Sequence, residues 1–84
     1  MKYEHLYVDQ ILKVTLDATF STMGEEAGQQ LLDDFATQRA ATILGLYAMA
    51  NPEAIIHFDS VEYEEPCEDH PDYLVIFLNL NVEE

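Results

Sequence analysis

The chain is poor in positive charge and in cysteine. Only Lys2, Lys13 and Arg39 are basic, against 17 acidic residues, and the formal net charge is −14. Such an acidic chain is repelled by nucleic acid and by anionic membranes, and it is attracted to a basic partner. The single cysteine, Cys67, has no second cysteine with which to form an internal disulfide, which is typical of a protein in a reducing compartment.

Long apolar runs are also missing. The longest apolar stretch with a helical pattern, residues 40–50, contains Thr42 and Gly45. It falls far short of the roughly 20 residues that span a bilayer. The first residues include Lys2 and Glu4 and lack the apolar segment of a signal peptide. We therefore expect a cytosolic protein that binds no membrane.

The sequence does contain enough apolar residues for a core. They make up 49% of the 84 residues, which is typical of a folded chain and not of a disordered one. The length suits one small acidic domain over residues 1–84. Repulsion among the acidic side chains opposes folding of such a domain, so we expect its acidity to serve more than solubility.

Residues 73–82 have the pattern of a central strand. Leu74, Ile76, Leu78, Leu80 and Val82 alternate with residues that begin apolar and end with two asparagines. Side chains two residues apart lie on the same face of a strand, so one face is aliphatic along its whole length. The opposite face is apolar in its first half, which indicates neighbouring strands on both edges.

The start of the chain predicts a strand followed by a helix. Residues 11–20 alternate apolar and polar side chains, which favours a half-buried first strand. Residues 3–10 fit either a helical turn or an extension of that strand. Thr22 and Glu25 then have the spacing of a capping box, in which both side chains satisfy free first-turn amides. The helix is therefore expected to begin at about residue 23.

This helix is predicted to end near residue 49, because Asn51 tolerates a left-handed cap and Pro52 cannot continue a helix. Its apolar residues form one broad stripe that we expect to pack on the sheet. The stripe comprises Leu31, Leu32, Phe35, Ile43, Leu46, Tyr47 and Ala50. Arg39 falls inside it, and we expect the aliphatic stem of Arg39 to pack while its guanidinium reaches an acid.

The other side of the helix also becomes apolar after residue 40. Ala41, Leu44 and Ala48 lie there, and a helix that is apolar all round is covered on a second side. Two covers fit this pattern equally well. One is residues 1–10 of the same chain, and the other is a second copy of the chain in a homodimer.

Residues 54–63 are rich in β-branched and aromatic side chains and predict a second strand. Pro66 and Pro71 then indicate a loop over residues 64–72 before the last strand. The predicted element order is β-α-β-β, an α+β domain with one long helix on one face of a three-stranded antiparallel sheet. The last strand pairs with both others, which gives the strand order 1-3-2.

Acidic residues dominate the C-terminal part of the chain. Residues 53–84 contain ten acids and no lysine or arginine, whereas a generic surface mixes both signs. The acids that we assign to a candidate partner-binding surface are Asp59, Glu62, Glu64, Glu65, Glu68, Asp69 and Asp72. Carboxylates two residues apart on a strand lie about 6.6–6.8 Å apart, and phosphates of one DNA strand advance about 3.4 Å per step. The acids therefore suit the imitation of a phosphate row, and the alternative is an ordinary solvated face.

In size and charge the chain resembles the small acidic inhibitors that phages direct against host nucleases, including DNA-mimicking anti-restriction and anti-CRISPR proteins. No motif assigns the chain to a family. The resemblance implies an inhibitor that occupies the basic nucleic-acid-binding groove of a nuclease or another DNA- or RNA-binding protein, in the host cytoplasm if the chain is phage-encoded. The alternative is an acidic structural, adaptor or immunity-type protein that binds a basic protein without imitating DNA.

The remaining patterns favour neither a metal protein nor an enzyme. Cys67 and His70 have the spacing of half a zinc site, which His57 or His5 would have to complete. The acids of the predicted loop lack the ligand spacing and the glycine of a calcium loop. Cys67 and His70 would also make a poor nucleophile and base, because neighbouring acids suppress the thiolate. We therefore expect no metal, no cofactor and no catalytic activity.

Overall fold

The computed structural model describes residues 1–83, and Glu84, the last of the C-terminal acids, lies outside the described residues. The described part contains three strands and two helices. In chain order these are β1 (Lys2–Leu12), α1 (Lys13–Met23), α2 (Glu25–Ala50), β2 (Ile55–Glu64) and β3 (Tyr73–Glu83). No helix within residues 1–83 is long and apolar enough to cross a membrane.

β3 lies in the centre of the sheet, as its pattern predicts. It pairs antiparallel with β1 on one edge and with β2 on the other, so the strand order is β1-β3-β2. Ile76, Leu78 and Leu80 are completely buried at 0% exposure, and they form the core together with residues of α2. The α+β class and the strand order 1-3-2 are confirmed.

The first strand lies earlier than predicted, and the expected strand over residues 11–20 is wrong. The ambiguous residues 3–10 belong to β1, whereas residues 13–23 form a second helix, α1. Leu16 packs against the core, but Val14, two residues before it, is 70% exposed. The apolar residues of this segment are spaced both two and four residues apart, which fits a strand and a helix alike. In the structure the segment is helical.

The corner between the two helices also differs from the predicted capping box. Thr22 lies inside α1, and Gly24 separates the helices with a φ of 86°. Residues with a side chain rarely adopt this φ, so glycine suits the corner. The Gly24 amide donates to the Phe20 carbonyl at 2.9 Å, and the Gly24 carbonyl accepts from the Gly28 amide at 2.9 Å. One residue therefore ends α1 and begins α2.

α2 ends close to the predicted residue but with a different cap. Asn51 has φ −132° and not the left-handed conformation that the sequence suggested. Its side-chain amide donates to the Tyr47 carbonyl at 3.0 Å, and its backbone amide donates to the Tyr47 and Ala48 carbonyls. These bonds satisfy carbonyl groups that the end of the helix would leave free.

α2 packs with a face that overlaps the predicted stripe but is rotated from part of it. Leu32 is buried, and Phe35, Ile43 and Tyr47 pack against the core, as the stripe predicts. The buried residues of α2 are Gly28, Leu32, Ala36 and Ala40. The predicted members Leu31 and Leu46 are instead 49% and 58% exposed. Three of the four buried residues are small, so a hydrophobicity pattern does not mark them. Ala36 and Ala40 belong to the core beneath the helix, whereas Gly28 lies against the Phe20 ring of α1. The guanidinium of Arg39 reaches an acid, as expected: its Nε lies 3.5 Å from Asp9 Oδ2, and its Cζ lies 5.0 Å from the Phe35 ring centroid.

Each edge strand contains a β-bulge, between Tyr7 and Asp9 in β1 and between Phe58 and Ser60 in β2. An extra residue at a bulge shifts the alternation of side chains by one position. The residues that pack in the core on the two sides of these bulges are Leu6, Val8 and Ile11 in β1, and Ile56, Val61 and Tyr63 in β2. The bulges thus explain why the apolar residues of both edge strands break strict alternation.

Candidate partner-binding surface

The helices pack on one face of the sheet, and the other face is formed by strand residues of opposite parity. Partner residues of an antiparallel pair lie on the same face, so the strand register identifies the members of that second face. They are Tyr3, His5, Tyr7, Gln10 and Leu12 of β1, Tyr73, Val75, Phe77, Asn79, Asn81 and Glu83 of β3, and Ile55, His57, Ser60, Glu62 and Glu64 of β2. We call this surface the open face.

The open face presents aromatic side chains to solvent. Tyr3 and Tyr7 are 56% and 55% exposed. Phe77 is half-buried, and the His5 ring stacks on it with a centroid distance of 4.2 Å and an angle of 22°. Tyrosine is enriched at protein interfaces, because its ring supplies contact area and its hydroxyl supplies a hydrogen bond. The open face is therefore chemically unlike a purely solvated acidic surface.

A buried asparagine links the three strands across the open face. Asn79 is 3% exposed, and its oxygen accepts a hydrogen bond from His5 Nδ1 at 2.6 Å. Its amide nitrogen donates to Ser60 Oγ and to Glu62 Oε1, both at 3.1 Å. These bonds position the Glu62 carboxylate, which lies opposite Phe77 in the register.

The loop after β2 folds back onto the end of the open face through His70. His70 is 7% exposed, and its ring stacks on Tyr73 at 5.2 Å between centroids. Nδ1 lies 2.8 Å from the Tyr73 carbonyl oxygen, and Nε2 lies 2.9 Å from Glu64 Oε1. The bond to Glu64, and then the bond to the Tyr73 carbonyl, raise the pKa of His70 above its ordinary value.

The seven assigned acids do not form a single row. Glu62 and Glu64 lie on the open face, and Asp59 lies at the bulge of the edge strand β2. Glu65 instead lines a groove on the helix side of the sheet, together with Lys13 and Asp17. The remaining loop acids, Glu68, Asp69 and Asp72, are exposed. The open face and its loop therefore share most of the assigned acids, but not Glu65.

Every lysine and arginine is paired with an acid on the helix side of the molecule. Lys2 pairs with Glu4 at 2.9 Å, Lys13 pairs with Asp17 at 2.8 Å, and Arg39 pairs with Asp9 as described above. The open face has no lysine or arginine among its members. Its positive charge can come only from histidines, so its acids are much less neutralised than those beside the helices.

The half zinc site of Cys67 and His70 is not completed by either of the two histidines that the sequence offered for it. His57 Nε2 lies 2.7 Å from Glu83 Oε2, and His5 is bonded to Asn79. Neither histidine therefore completes a site with Cys67 and His70. The side chain that joins Cys67 and His70 is Glu64. Sequence spacing could not identify Glu64 as the third member of this cluster, because the conformation of the loop between Glu64 and His70 cannot be predicted from the sequence.

The candidate dimer contact lies in an apolar groove between α2 and β2. Ala41 and Leu44 line this groove together with Phe58 and Val61. Residues 1–10 do not cover it, because they form most of β1 on the opposite edge of the sheet, and that alternative is wrong. Ala48 is exposed. The homodimer stays a hypothesis, and sedimentation of the wild-type chain at high concentration would exclude it by showing only a monomer.

Tyr63 links the edge strand β2 to α2 through a hydrogen bond. Its hydroxyl donates a hydrogen bond to Asp33 Oδ1 at 2.7 Å. Burial of the phenol, and then its bond to Asp33, raise the pKa of Tyr63 well above the ordinary value. Asp33 is thus a structural acid, and it differs in role from the exposed acids of the loop.

Comparisons with models of protein families, with curated proteins and with solved structures found no match to this chain. The function is therefore inferred from the open face and its acids alone.

Proposed function

We propose that the protein is an acidic inhibitor that occupies the basic nucleic-acid-binding groove of a nuclease or another DNA- or RNA-binding protein, as anti-restriction and anti-CRISPR proteins of phages do. The surface that binds is the open face together with the loop of residues 65–72, apart from Glu65 on the helix side. One observation supports this most directly: the open face combines acids with exposed tyrosines and contains no lysine or arginine.

Electrostatics supply the attraction to such a groove. Glu62 and Glu64 lie on the open face, and Glu68 and Asp69 extend the negative surface along the loop. A net charge of −14 on 84 residues creates a field that accelerates encounter with a positively charged groove. The lysines and arginine that would weaken this field are paired on the helix side.

Preorganisation supplies part of the affinity. Asn79 holds Glu62, and His70 holds Glu64, so both carboxylates are ordered before a partner arrives. Ordering a long side chain on binding costs roughly 0.5–1.5 kcal/mol, and this cost is reduced when the side chain is already fixed. Tyr3 and Tyr7 then provide apolar contact area beside the acids, as aromatic anchors do at many interfaces.

A second function is favoured by two of the same observations. Glu65 points to the helix side, which interrupts the phosphate-like row, and Tyr3 and Tyr7 suit a surface that is partly apolar. Both features fit an adaptor or immunity-type protein that binds a basic partner without imitating nucleic acid. Competition separates the two functions, because only a mimic is displaced from its partner by DNA or RNA.

The test begins with capture of the partner from a bacterial lysate and its identification. The triple variant Glu62→Gln, Glu68→Gln and Asp69→Asn then removes three charges from the open face and loop. It leaves Glu64 in place because Glu64 is bonded to His70. We expect the variant to fold and to bind the partner about 10-fold or more weakly, mainly through slower association. The wild-type association rate should fall steeply with salt, because steering is screened over about 8–10 Å.

The matched control removes the same charge from α2, on the other side of the sheet, as Glu25→Gln, Glu26→Gln and Asp34→Asn. Asp34 accepts a bond from Gln30 that an amide oxygen can still accept. Asp33 is unsuitable for this control, because it holds Tyr63. An equal loss of affinity in both triples would mean that only net charge matters, and the proposed binding surface would be abandoned.

A further inference from the structure

Three side chains with metal-binding atoms meet where the loop of residues 65–72 leaves β2. Glu64 is the last residue of β2, and Cys67 and His70 follow in the loop. Their ligand atoms, a Glu64 carboxylate oxygen, the Cys67 sulfur and a His70 ring nitrogen, all lie within 4.8 Å of one another. The proposed binding surface uses the charge of Glu64 and its bond to His70, but it assigns no role to the Cys67 thiol.

The ring of His70 is oriented as metal-binding histidines usually are. Nδ1 faces the carbonyl oxygen of Tyr73 at 2.8 Å, and a carbonyl can only accept, so Nδ1 carries a hydrogen. In the neutral ring Nε2 then presents a lone pair, and it points at Glu64 Oε1 from 2.9 Å. Nε2 and the carboxylate oxygen would repel each other if both presented lone pairs. Their short contact therefore requires either a cation between them or a proton on the ring. A histidine that ligates a metal almost always donates its other N–H to a carbonyl or carboxylate.

We propose that Glu64, Cys67 and His70 bind a zinc ion, with a fourth position open to water or to a donor from a partner. One thiolate, one imidazole and one carboxylate are all ligands that zinc accepts in proteins. Calcium and magnesium prefer oxygen ligands alone, so a donor set with sulfur and nitrogen excludes them. The spacing of Cys67 and His70 alone does not predict this site, because the third ligand, Glu64, comes from the strand.

The distances fit after a small movement. Zinc lies about 2.0–2.2 Å from nitrogen and oxygen ligands and about 2.3 Å from sulfur, so tetrahedral ligand atoms lie about 3.3–3.6 Å apart. The Glu64–His70 contact of 2.9 Å would widen by a few tenths of an ångström. Cys67 and Glu64 are both exposed, so their side chains are free to adjust while the buried His70 stays fixed. The Cys67 thiol releases its proton to the solvent as the zinc–sulfur bond forms.

The ion would fix the conformation of the loop. It would join the end of β2 to two loop residues, and the Tyr73 carbonyl already ties His70 to the start of β3. The loop acids Glu68 and Asp69 lie between the two loop ligands, so they would be ordered with it. This inference does not rest on the proposed function, because zinc binding is measured on the isolated chain.

The experiment uses the full chain, kept reduced and freed of metal with a chelator. Titration with zinc chloride in a calorimeter is expected to show one ion per chain, and cobalt chloride is expected to give the absorption of a cobalt–thiolate bond. Removing a group that only supports a metal ligand typically weakens metal binding about 10- to 100-fold. Cys67→Ser removes a ligand itself, so its loss of zinc affinity should be at least that large. It should also abolish the thiolate absorption. Because Cys67 is exposed, this variant is expected to fold.

Two controls separate the site from general attraction of cations by the acids. His57→Asn alters a histidine that is bonded to Glu83 elsewhere on the sheet, and it should leave zinc affinity unchanged. Glu68→Gln with Asp69→Asn removes loop charge without removing a proposed ligand, and it should change the affinity less than 10-fold. Zinc binding that is absent, or that is unaffected by Cys67→Ser, would overturn the proposal. So would a cobalt complex without thiolate absorption.

Discussion

Two adjacent leucines of α2 test which face of the helix packs on the sheet. Leu32 is 8% exposed, whereas Leu31 is 49% exposed. Burial of a leucine contributes about 1.5–3 kcal/mol, and truncation in a core adds the cost of a cavity, so Leu32→Ala should lower the free energy of unfolding by about 2–4 kcal/mol. Leu31→Ala loses only part of the transfer free energy and leaves no enclosed cavity, so its cost should stay below about 1 kcal/mol.

Urea denaturation followed by circular dichroism measures both free energies. A difference of about 2 kcal/mol corresponds to a difference in Tm of about 8–16 °C for a domain of this size. Leu78→Ala, at a completely buried position of β3, provides the reference for a full core truncation. Equal costs at Leu31 and Leu32 would show that α2 packs with the face expected from the hydrophobicity pattern and not with the observed one.

Two further predictions concern a pair of glycines and the dependence of stability on pH. Gly45→Ala should stabilise the protein by about 1 kcal/mol, because a Cβ there meets nothing within 4 Å and alanine favours the helix. Gly28→Ala should not, because its Cβ would lie 2.6 Å from Phe20 Cδ1, and the two unfolding midpoints measure the contrast. Because the pKa of His70 is raised in the folded state, its contribution to stability is present below about pH 6.5 and is lost as the pH rises through the folded-state pKa. Glu64→Gln should remove that loss from urea midpoints measured between about pH 5 and 9, and an unchanged profile would contradict the assignment.

The central strand and the long helix were predictable because each has a strong pattern over many residues. β3 places five aliphatic side chains on one face without interruption, and a register shifted by one residue would place them all on the opposite face. The first strand was not predictable in the same way. In residues 11–20 the apolar side chains fit both a strand and a helix, and the choice depends on packing of Leu16 against a distant part of the chain.

The candidate site was predictable only where it lies on a strand. Glu62 and Glu64 share a face because they are two residues apart, and the register confirms this placement. The loop conformation depends on long-range contacts that sequence spacing does not reveal. The turn of Glu65 to the helix side, and the return of His70 beneath Glu64, are both set by such contacts.

Charge in this protein is compensated on one side and left uncompensated on the other. Lys2, Lys13 and Arg39 all neutralise acids beside the helices, where repulsion would act against packing of the core. If acidity served solubility alone, the few cations would be expected on both faces of the sheet, including the open face. Instead, the only groups there that can become positive are histidines, and His70 is held between Glu64 and a carbonyl. Uncompensated charge that opposes folding is retained where a basic partner or a bound cation would relieve it, and this placement supports our proposal that the acidity of the chain serves binding.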